Sequence, residues 1–332
     1  MLKFNTMRSR TGHLSISTIA GILLLCTGQA NAETLRLAHA SSSKSLIQDA
    51  VVMFADKLSA ETKGGVTVQI FPDGQLGDEG PIADGVGSGS IDIGLGGVAD
   101  AIDPKLNVVT LPFLFSDANA AHTFLDGPVG KKVFDTGGDN GFKMLGALDS
   151  GFRQFATVSK SIAKPEDIRG LKLRTPPNPV ILATIEQLGA LPQSIPFGEV
   201  YTSLQSHVVD GVEPEIRDFS DQKWYESAKF LSVSNYIWTP NYWFMNKERF
   251  DALSPENQAA VTKAVEETTI WYRGKLDEVY AQVIENLKSK GVTVTTVDTT
   301  PFRAMVDPVY VKFGAEWGDD LVSSVRSAAA GK

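Results

Sequence analysis

Two arginines carry the most readable chemistry in this chain. Arg174 closes the run Leu171-Lys172-Leu173-Arg174, and Thr175-Pro176-Pro177-Asn178-Pro179 follows it. It therefore stands at the carboxyl end of a predicted strand, where open α/β sheets receive ligands. Arg153 lies early in another predicted strand, 152–158, close to a joint between two blocks of structure. A guanidinium presents a planar fork of donors that matches a carboxylate bidentately. Taken alone, each also fits an ordinary surface arginine. Asn178, in the turn after Arg174, is a further candidate for contact with whatever binds there.

Other chemistry is thinner. Gly94-Leu95-Gly96-Gly97-Val98-Ala99 spells a dinucleotide fingerprint by letter. It sits late in the chain, and a strand end where backbone approaches a neighbour or ligand closely explains it better. Ser41-Ser42-Ser43-Lys44 matches the SxxK nucleophile motif, but the partner motifs SDN and KTG are missing. A serine-rich helix start is the simpler reading. His39, His122 and His207 form no HExxH pair, and no GxSxG occurs. Asp210, Glu213, Glu215 and Asp218 are calcium ligands by type, but a solvated acidic face is the favoured reading. No metal, no cofactor and no enzymatic centre are expected.

The elements that must hold these residues alternate between strand and helix. Leu35-Arg36-Leu37-Ala38-His39 alternates as a strand, and Leu46, Ala50, Val51, Phe54 and Leu58 then share one helical face. Val66-Thr67-Val68-Gln69-Ile70-Phe71 is a strand, 82–86 a short helix, Ile91-Asp92-Ile93-Gly94-Leu95 a strand and 142–148 another. The pattern restarts with strands at 152–158 and 171–174, helices at 180–188 and 198–207, and a strand at 208–212. Such alternation implies parallel sheet with helices on its faces. Ser254-Pro255 is a strong helix start, and an apolar face runs on to Leu287. A helix of about 35 residues would be roughly 50 Å long, enough to lie across both blocks. A coiled-coil dimer arm is the alternative.

The first 32 residues read as a separate object. Lys3, Arg8 and Arg10 precede the apolar run Ile19-Ala20-Gly21-Ile22-Leu23-Leu24-Leu25, and Ala30-Asn31-Ala32 offers a small-residue cleavage site. That is the layout of a secretory signal peptide, too short to span a bilayer. Its removal takes away Cys26, the only cysteine, so no disulfide or thiolate metal site remains. It also leaves 28 basic residues against 39 acidic ones, a net charge of −11. Nucleic-acid binding, which rests on basic clusters displacing counterions, is disfavoured. A composition 42% hydrophobic and 21% charged excludes a disordered chain.

Read in order, several short segments make the chain resemble a known family. They are Phe71-Pro72-Asp73-Gly74-Gln75-Leu76-Gly77, Leu111-Pro112-Phe113-Leu114-Phe115, Gly151-Phe152-Arg153, the stretch Pro165-Glu166-Asp167-Ile168-Arg169-Gly170-Leu171-Lys172-Leu173-Arg174, Leu188-Gly189-Ala190, Glu199-Val200-Tyr201 and Val209-Asp210-Gly211-Val212-Glu213. Together they resemble the solute-binding proteins of tripartite ATP-independent periplasmic (TRAP) transporters. The resemblance implies an α/β, two-lobed periplasmic-binding-protein fold with a long helix spanning both lobes. It places lobe I at 33–150 plus 241–280 and lobe II at 151–240 plus 281–332.

It also implies a monomeric periplasmic receptor that delivers a small organic acid to a small and a large integral membrane subunit driven by sodium. A subunit feeding a sensor is the alternative. Arg174 matches the family arginine that pairs with the ligand carboxylate, Arg153 an assisting arginine, and Phe197 an aromatic lining position. Gln75 to Glu79 and Gly96 to Asp100 match loops that contact ligand. Pro214 stands where many relatives have a hydrogen-bonding asparagine, so recognition at that wall must differ. Trp238, Tyr242, Trp243 and Phe244 could stack on a sugar, and Glu213, Glu215 and Asp218 could accept its hydroxyls. A sugar acid is therefore favoured over a C4-dicarboxylate.

Overall fold

In the computed structural model, Met1 and residues 32–331 are described. The leader expected over 1–32 lies, apart from its two end residues, outside them. Nine strands make one sheet: β1 (Glu33–His39), β2 (Val66–Phe71), β3 (Ile93–Gly96), β4 (Phe142–Thr157), β5 (Lys172–Thr175), β6 (Leu191–Ser194), β7 (Gly211–Val212), β8 (Phe230–Asn246) and β9 (Thr293–Thr296). Their order is β2-β1-β3-β8-β4-β7-β5-β6, with β9 pairing on β8.

The expectation of parallel sheet holds only in part. β1 runs parallel to β2 and β3, and β5 runs parallel to β6 and β7. The middle is antiparallel, because β8 pairs antiparallel with β3 and β4, and β4 with β7. Strand–helix alternation reports the parallel units on either side. It carries no signal for two long strands that pair with each other from opposite ends of the chain.

Those two strands join the halves of the molecule. The expected strands at 142–148 and 152–158 are one strand of 16 residues, and the predicted joint near residue 150 falls inside it. β4 pairs with β8 over its length, with register shifts at Met144/Gly146, Asp149/Gly151 and Arg153/Phe155. The first two each insert one extra β4 residue, a bulge that bends the strand and sharpens its twist, while at the third Gln154 alone stands against residues 233–236 of β8. Gly151 sits at the middle one with φ +114°, and a Cβ there would come 1.7 Å from the Tyr280 hydroxyl. Only glycine fits.

Alternation along β8 fills both faces. Trp238, Tyr242 and Phe244 pack with Ile82, Val86 and Phe115, while Trp243 and Met245 pack with Phe54 and Val261 on the other side. At the other half, Leu173, Ile181 and Tyr236 form one core and Val200, Phe219 and Leu231 another. The two-lobed architecture follows from these paired cores on a shared sheet.

The long helix spans Pro255–Ser289, 35 residues, with Ser254 as its N-cap accepting from the Asn257 N–H. Its first two-thirds bury Val261, Val265, Tyr272 and Leu276 against the first lobe, and its end buries Leu287 against the second. Much of the apolar stripe expected for a dimer arm is thus buried inside one chain. Among the described residues, no helix is long and apolar enough to cross a membrane.

Candidate functional site

A cavity lies over the point where β4 and β8 pass between the halves. Ser150 of β4 and Thr239, Pro240 and Asn241 of β8 form its floor. Arg174 enters from the end of β5. Its position follows from the parallel pairing of β5 with β6 and β7, which aims the carboxyl ends of all three strands at the cleft.

Arg174 is 2% exposed. Its Nε donates to the Ile195 carbonyl at 2.9 Å, and its guanidinium lies over the Trp224 ring at 5.8 Å. Phe197 packs against Trp224 edge-on, with ring centroids 5.4 Å apart, and also lines the cavity. Among the described residues no carboxylate lies within ion-pair distance of Arg174. Burial, reinforced by the neighbouring Arg153 charge, lowers its pKa to about 10.

Arg153 lines the same cavity but is already engaged. Its Nη2 donates to Glu213 Oε1 at 2.8 Å and to the Glu213 carbonyl at 2.6 Å, and its Nε donates to Oε2. The Tyr236 hydroxyl donates to the same carboxylate at 2.5 Å. Burial works against the Arg153 charge, but the Glu213 carboxylate outweighs it and the pKa rises.

A second buried pair stands beside the first. Arg217 Nε reaches Glu215 Oε1 at 3.4 Å, and its Nη2 donates to the carbonyls of Asp149 and Ser150 at 3.0 and 2.7 Å. Its Nη1 donates to the Tyr272 hydroxyl of the long helix. Glu215 caps the short helix Ile216–Asp221 by accepting the N–H groups of Arg217 and Asp218.

The acidic run is therefore not the solvated face expected of it. Glu213 is 0% exposed and Glu215 1%. Burial is tolerated because each carboxylate has a guanidinium partner, and an unpaired buried charge would be strongly destabilising. Only Asp210 stays outside, where it accepts the Lys172 N–H at 2.8 Å. The sequence conceals this because the partners are 60 residues apart for Arg153 and Glu213.

Among the described residues, two acids at the cavity have no cation within ion-pair distance. Glu79 begins the helix Glu79–Gly87, is capped by Asp78, and accepts the Gly97 N–H at 2.9 Å. Burial raises its pKa, and that hydrogen bond only tempers the shift. Asp218 has no ion pair among the described residues. Burial, then the adjacent Glu215, pushes it up to about 7.

Gly94 and Gly96 show the close approach suggested by their spacing. A Cβ at Gly94 would meet the Phe244 ring at 2.3 Å, and one at Gly96 would meet Glu79 Oε1 at 3.0 Å.

Of the candidates named from sequence, Arg174, Arg153, Phe197, Glu79, Asn178, Glu215 and Asp218 line the cavity, with Gly97 and Val98 of the 96–100 loop. The Asn178 amide is committed to structure. Its oxygen accepts from the Val180 and Ile181 N–H groups, and its nitrogen donates to Asn107 Oδ1 at 2.8 Å. Glu213 stands behind Arg153, not on the wall. Gln75 is exposed and away from the cavity. Trp238 is packed in the core with its indole N–H donating to Asp149 Oδ1 at 3.1 Å, so it does not face the site.

Sequence reasoning missed Ser41, Thr110, Ser150, Trp224 and Asn241. Asn241 alone carried a signal, as the single amide in the run Trp238-Thr239-Pro240-Asn241-Tyr242-Trp243-Phe244. None of the described histidines lines the cavity, and the described residues contain no cluster fit to hold a metal ion.

A two-lobed fold with one unmatched, buried guanidinium at the cleft defines a receptor for a small anion. The family model for bacterial extracellular solute-binding protein, family 7, matches residues 37–316. The chain belongs to that family, and it is a solute receptor of the TRAP type, not an enzyme. It is 33% identical to the 2,3-diketo-L-gulonate-binding periplasmic protein YiaO of Escherichia coli over 84% of this chain and 85% of the relative. The crystal structure of a TRAP periplasmic solute-binding protein of Xanthobacter autotrophicus with bound β-D-galacturonate superposes with a TM-score of 0.84 at 31% identity. That match covers 88% of this chain and 99% of the other. The sugar acid binding protein DctPAm of Advenella mimigardefordensis, in complex with galactonate, gives a TM-score of 0.86 at 30% identity, covering 90% and 98%.

Proposed function

We propose that this protein is a periplasmic receptor for a sugar monocarboxylate, which it carries to the small and large membrane subunits of a sodium-coupled TRAP transporter. The observation that carries this reading is the buried Arg174 guanidinium without a carboxylate partner. A carboxylate entering the cleft would complete the fork, with Trp224 stacked behind it. Cleavage of the 1–32 leader accounts for the location, and the internal burial of the long helix favours a monomer.

The rest of the cavity suits a polyol. Ser41, Thr110, Ser150 and Thr239 offer hydroxyls, and Asn241 offers an amide. We assign to Asn241 the hydrogen-bonding role that Pro214 cannot fill, since proline has neither a side-chain donor nor an N–H. Known ligands of the similar structures, galacturonate and galactonate, are of this class. Lobe I comprises 33–150 plus 241–280 and lobe II 151–240 plus the chain from 281, with boundary crossings in β4 and β8; the expected bound of 332 for lobe II does not fit the last helix, Asp319–Ala329, whose Val322, Val325 and Ala329 share a core with Ala121, Phe124 and Val133 of lobe I.

The test has two arms. Calorimetry of the purified protein should show tight binding of D-galactonate or D-glucuronate, and Arg174→Ala should weaken it by about two to three and a half decades. Arg174→Lys should also lose much of the affinity, because an ammonium cannot reproduce the fork. In proteoliposomes, uptake should require this protein and an inward sodium gradient, and ignore ATP. A folded Arg174→Ala protein that binds within fivefold of the parent, or uptake driven by ATP without sodium, would refute the assignment.

A further inference from the structure

The charges around the cleft can be counted, and the count restricts what enters. Three buried guanidiniums surround the site: Arg153, Arg174 and Arg217. Arg153 is matched by Glu213 and Arg217 by Glu215. Arg174 is the single unmatched cation at the cavity among the described residues. Two further carboxyl groups, Glu79 and Asp218, line the same cavity without a cation.

We propose that Glu79 and Asp218 are specificity-determining residues that admit acids with one carboxylate and reject those with two. This rests on the sugar-acid reading above. A monocarboxylate uses Arg174, and its hydroxyls then face two acceptors that need donors. A second carboxylate would find no cation left and would stand against Glu79 and Asp218. Like charges brought together in a desolvated site repel strongly, and the penalty is read as lost affinity.

Both acids are built into the wall. One Glu79 oxygen is held by the Gly97 N–H at 2.9 Å, and a Cβ at Gly96 would come within 3.0 Å of it, so the carboxylate lies tightly against the glycine loop. Asp218 is fixed by the helix Ile216–Asp221, whose cap is Glu215. Glu215, Arg217 and Asp221 flank Asp218 on or beside its own helix, while Glu79 and Arg153 face it from other elements.

Galactonate and galactarate test this directly, because they share a carbon chain and differ at one end, hydroxymethyl in one and carboxylate in the other. Calorimetry at pH 8 should show the parent preferring galactonate by about 100-fold or more. Asp218→Asn and Glu79→Gln should each shrink that ratio by about tenfold, chiefly by tightening galactarate. In the parent the preference should narrow as pH falls from 8 to 6, since burial and Glu215 place the Asp218 proton near pH 7. Asp218→Asn should flatten that dependence.

Circular dichroism establishes that each variant is folded, and either variant alone suffices if the other is not. Equal affinity of the parent for the two acids overturns the proposal, as does an unchanged ratio in a folded variant. In both cases binding of galactonate leaves the sugar-acid reading intact. A parent that binds neither acid nor any other sugar monocarboxylate removes that reading, and this proposal with it.

Discussion

A buried guanidinium without a carboxylate is costly, and it persists where a ligand supplies the missing charge. Arg174 is in that state, while Arg153 and Arg217 are not. The residue type is the same at all three positions, so the difference lies in the neighbours. Asp218 is the counterpart on the acidic side. Its pKa is raised to about 7 by burial and by Glu215, so the folded state holds a proton that the unfolded chain releases near pH 4. Its contribution to stability is therefore full below about pH 4 and is lost as pH rises through about 7. Asp221, raised to about 6 by burial, adds to the same slope. The melting temperature of Asp218→Asn relative to the parent should therefore be higher at pH 8 than at pH 5. Scanning calorimetry of the two ligand-free proteins checks this, and a difference independent of pH would show that Asp218 titrates normally.

At the scale of elements, the decisive feature is the bulged pair of β4 and β8. A regular strand of 16 residues would twist smoothly. Three register shifts concentrate bending at Gly146, Gly151 and Arg153. Tyr280 from the long helix locks the middle one, its hydroxyl donating to the Ser150 carbonyl at 3.0 Å. Gly151→Ala must displace that tyrosine and also place a side chain at positive φ. We expect a loss of roughly 1–3 kcal/mol in urea unfolding. Tyr280→Ala should relieve the collision, so the alanine should cost less in that background. Equal losses in both backgrounds would remove Tyr280 from the explanation.

At the scale of the whole molecule, the cleft is closed. Asp78 Oδ2 accepts the Gly198 N–H at 3.1 Å from the far side, and Asn178 meets Asn107 at 2.8 Å. The enclosed space is about 50 Å³, well below the roughly 300–1,000 Å³ of small-molecule sites. A small organic acid therefore needs the lobes to part before it can enter. Hinge closure of this kind is a small rotation about a few strand residues, and the β4 bulges are where it would be absorbed. Small-angle scattering should give a larger radius of gyration for the free protein than for the protein saturated with D-galactonate. An unchanged value would place ligand entry elsewhere.

Much of this was legible in the order of residues because its causes are local. Periodicity located β1, β2 and the helix Leu46–Glu61, and Ser254-Pro255 marked the start of the long helix. Proline and glycine around Arg174 placed it at a strand end, and the ordered family segments pointed to the same cleft. The remainder depends on contacts between distant parts of the chain, which no local pattern records. Pairing of β4 with β8 turned two expected strands into one and made the middle of the sheet antiparallel. Folding brought Glu213 onto Arg153 and buried the local pair Glu215 and Arg217 against the distant carbonyls of Asp149 and Ser150, so an acidic run that reads as surface became the lining behind a site. It also turned Trp238 into the core, because alternation along β8 is settled by which face meets Phe115, and it left Arg174 without a carboxylate partner among the described residues.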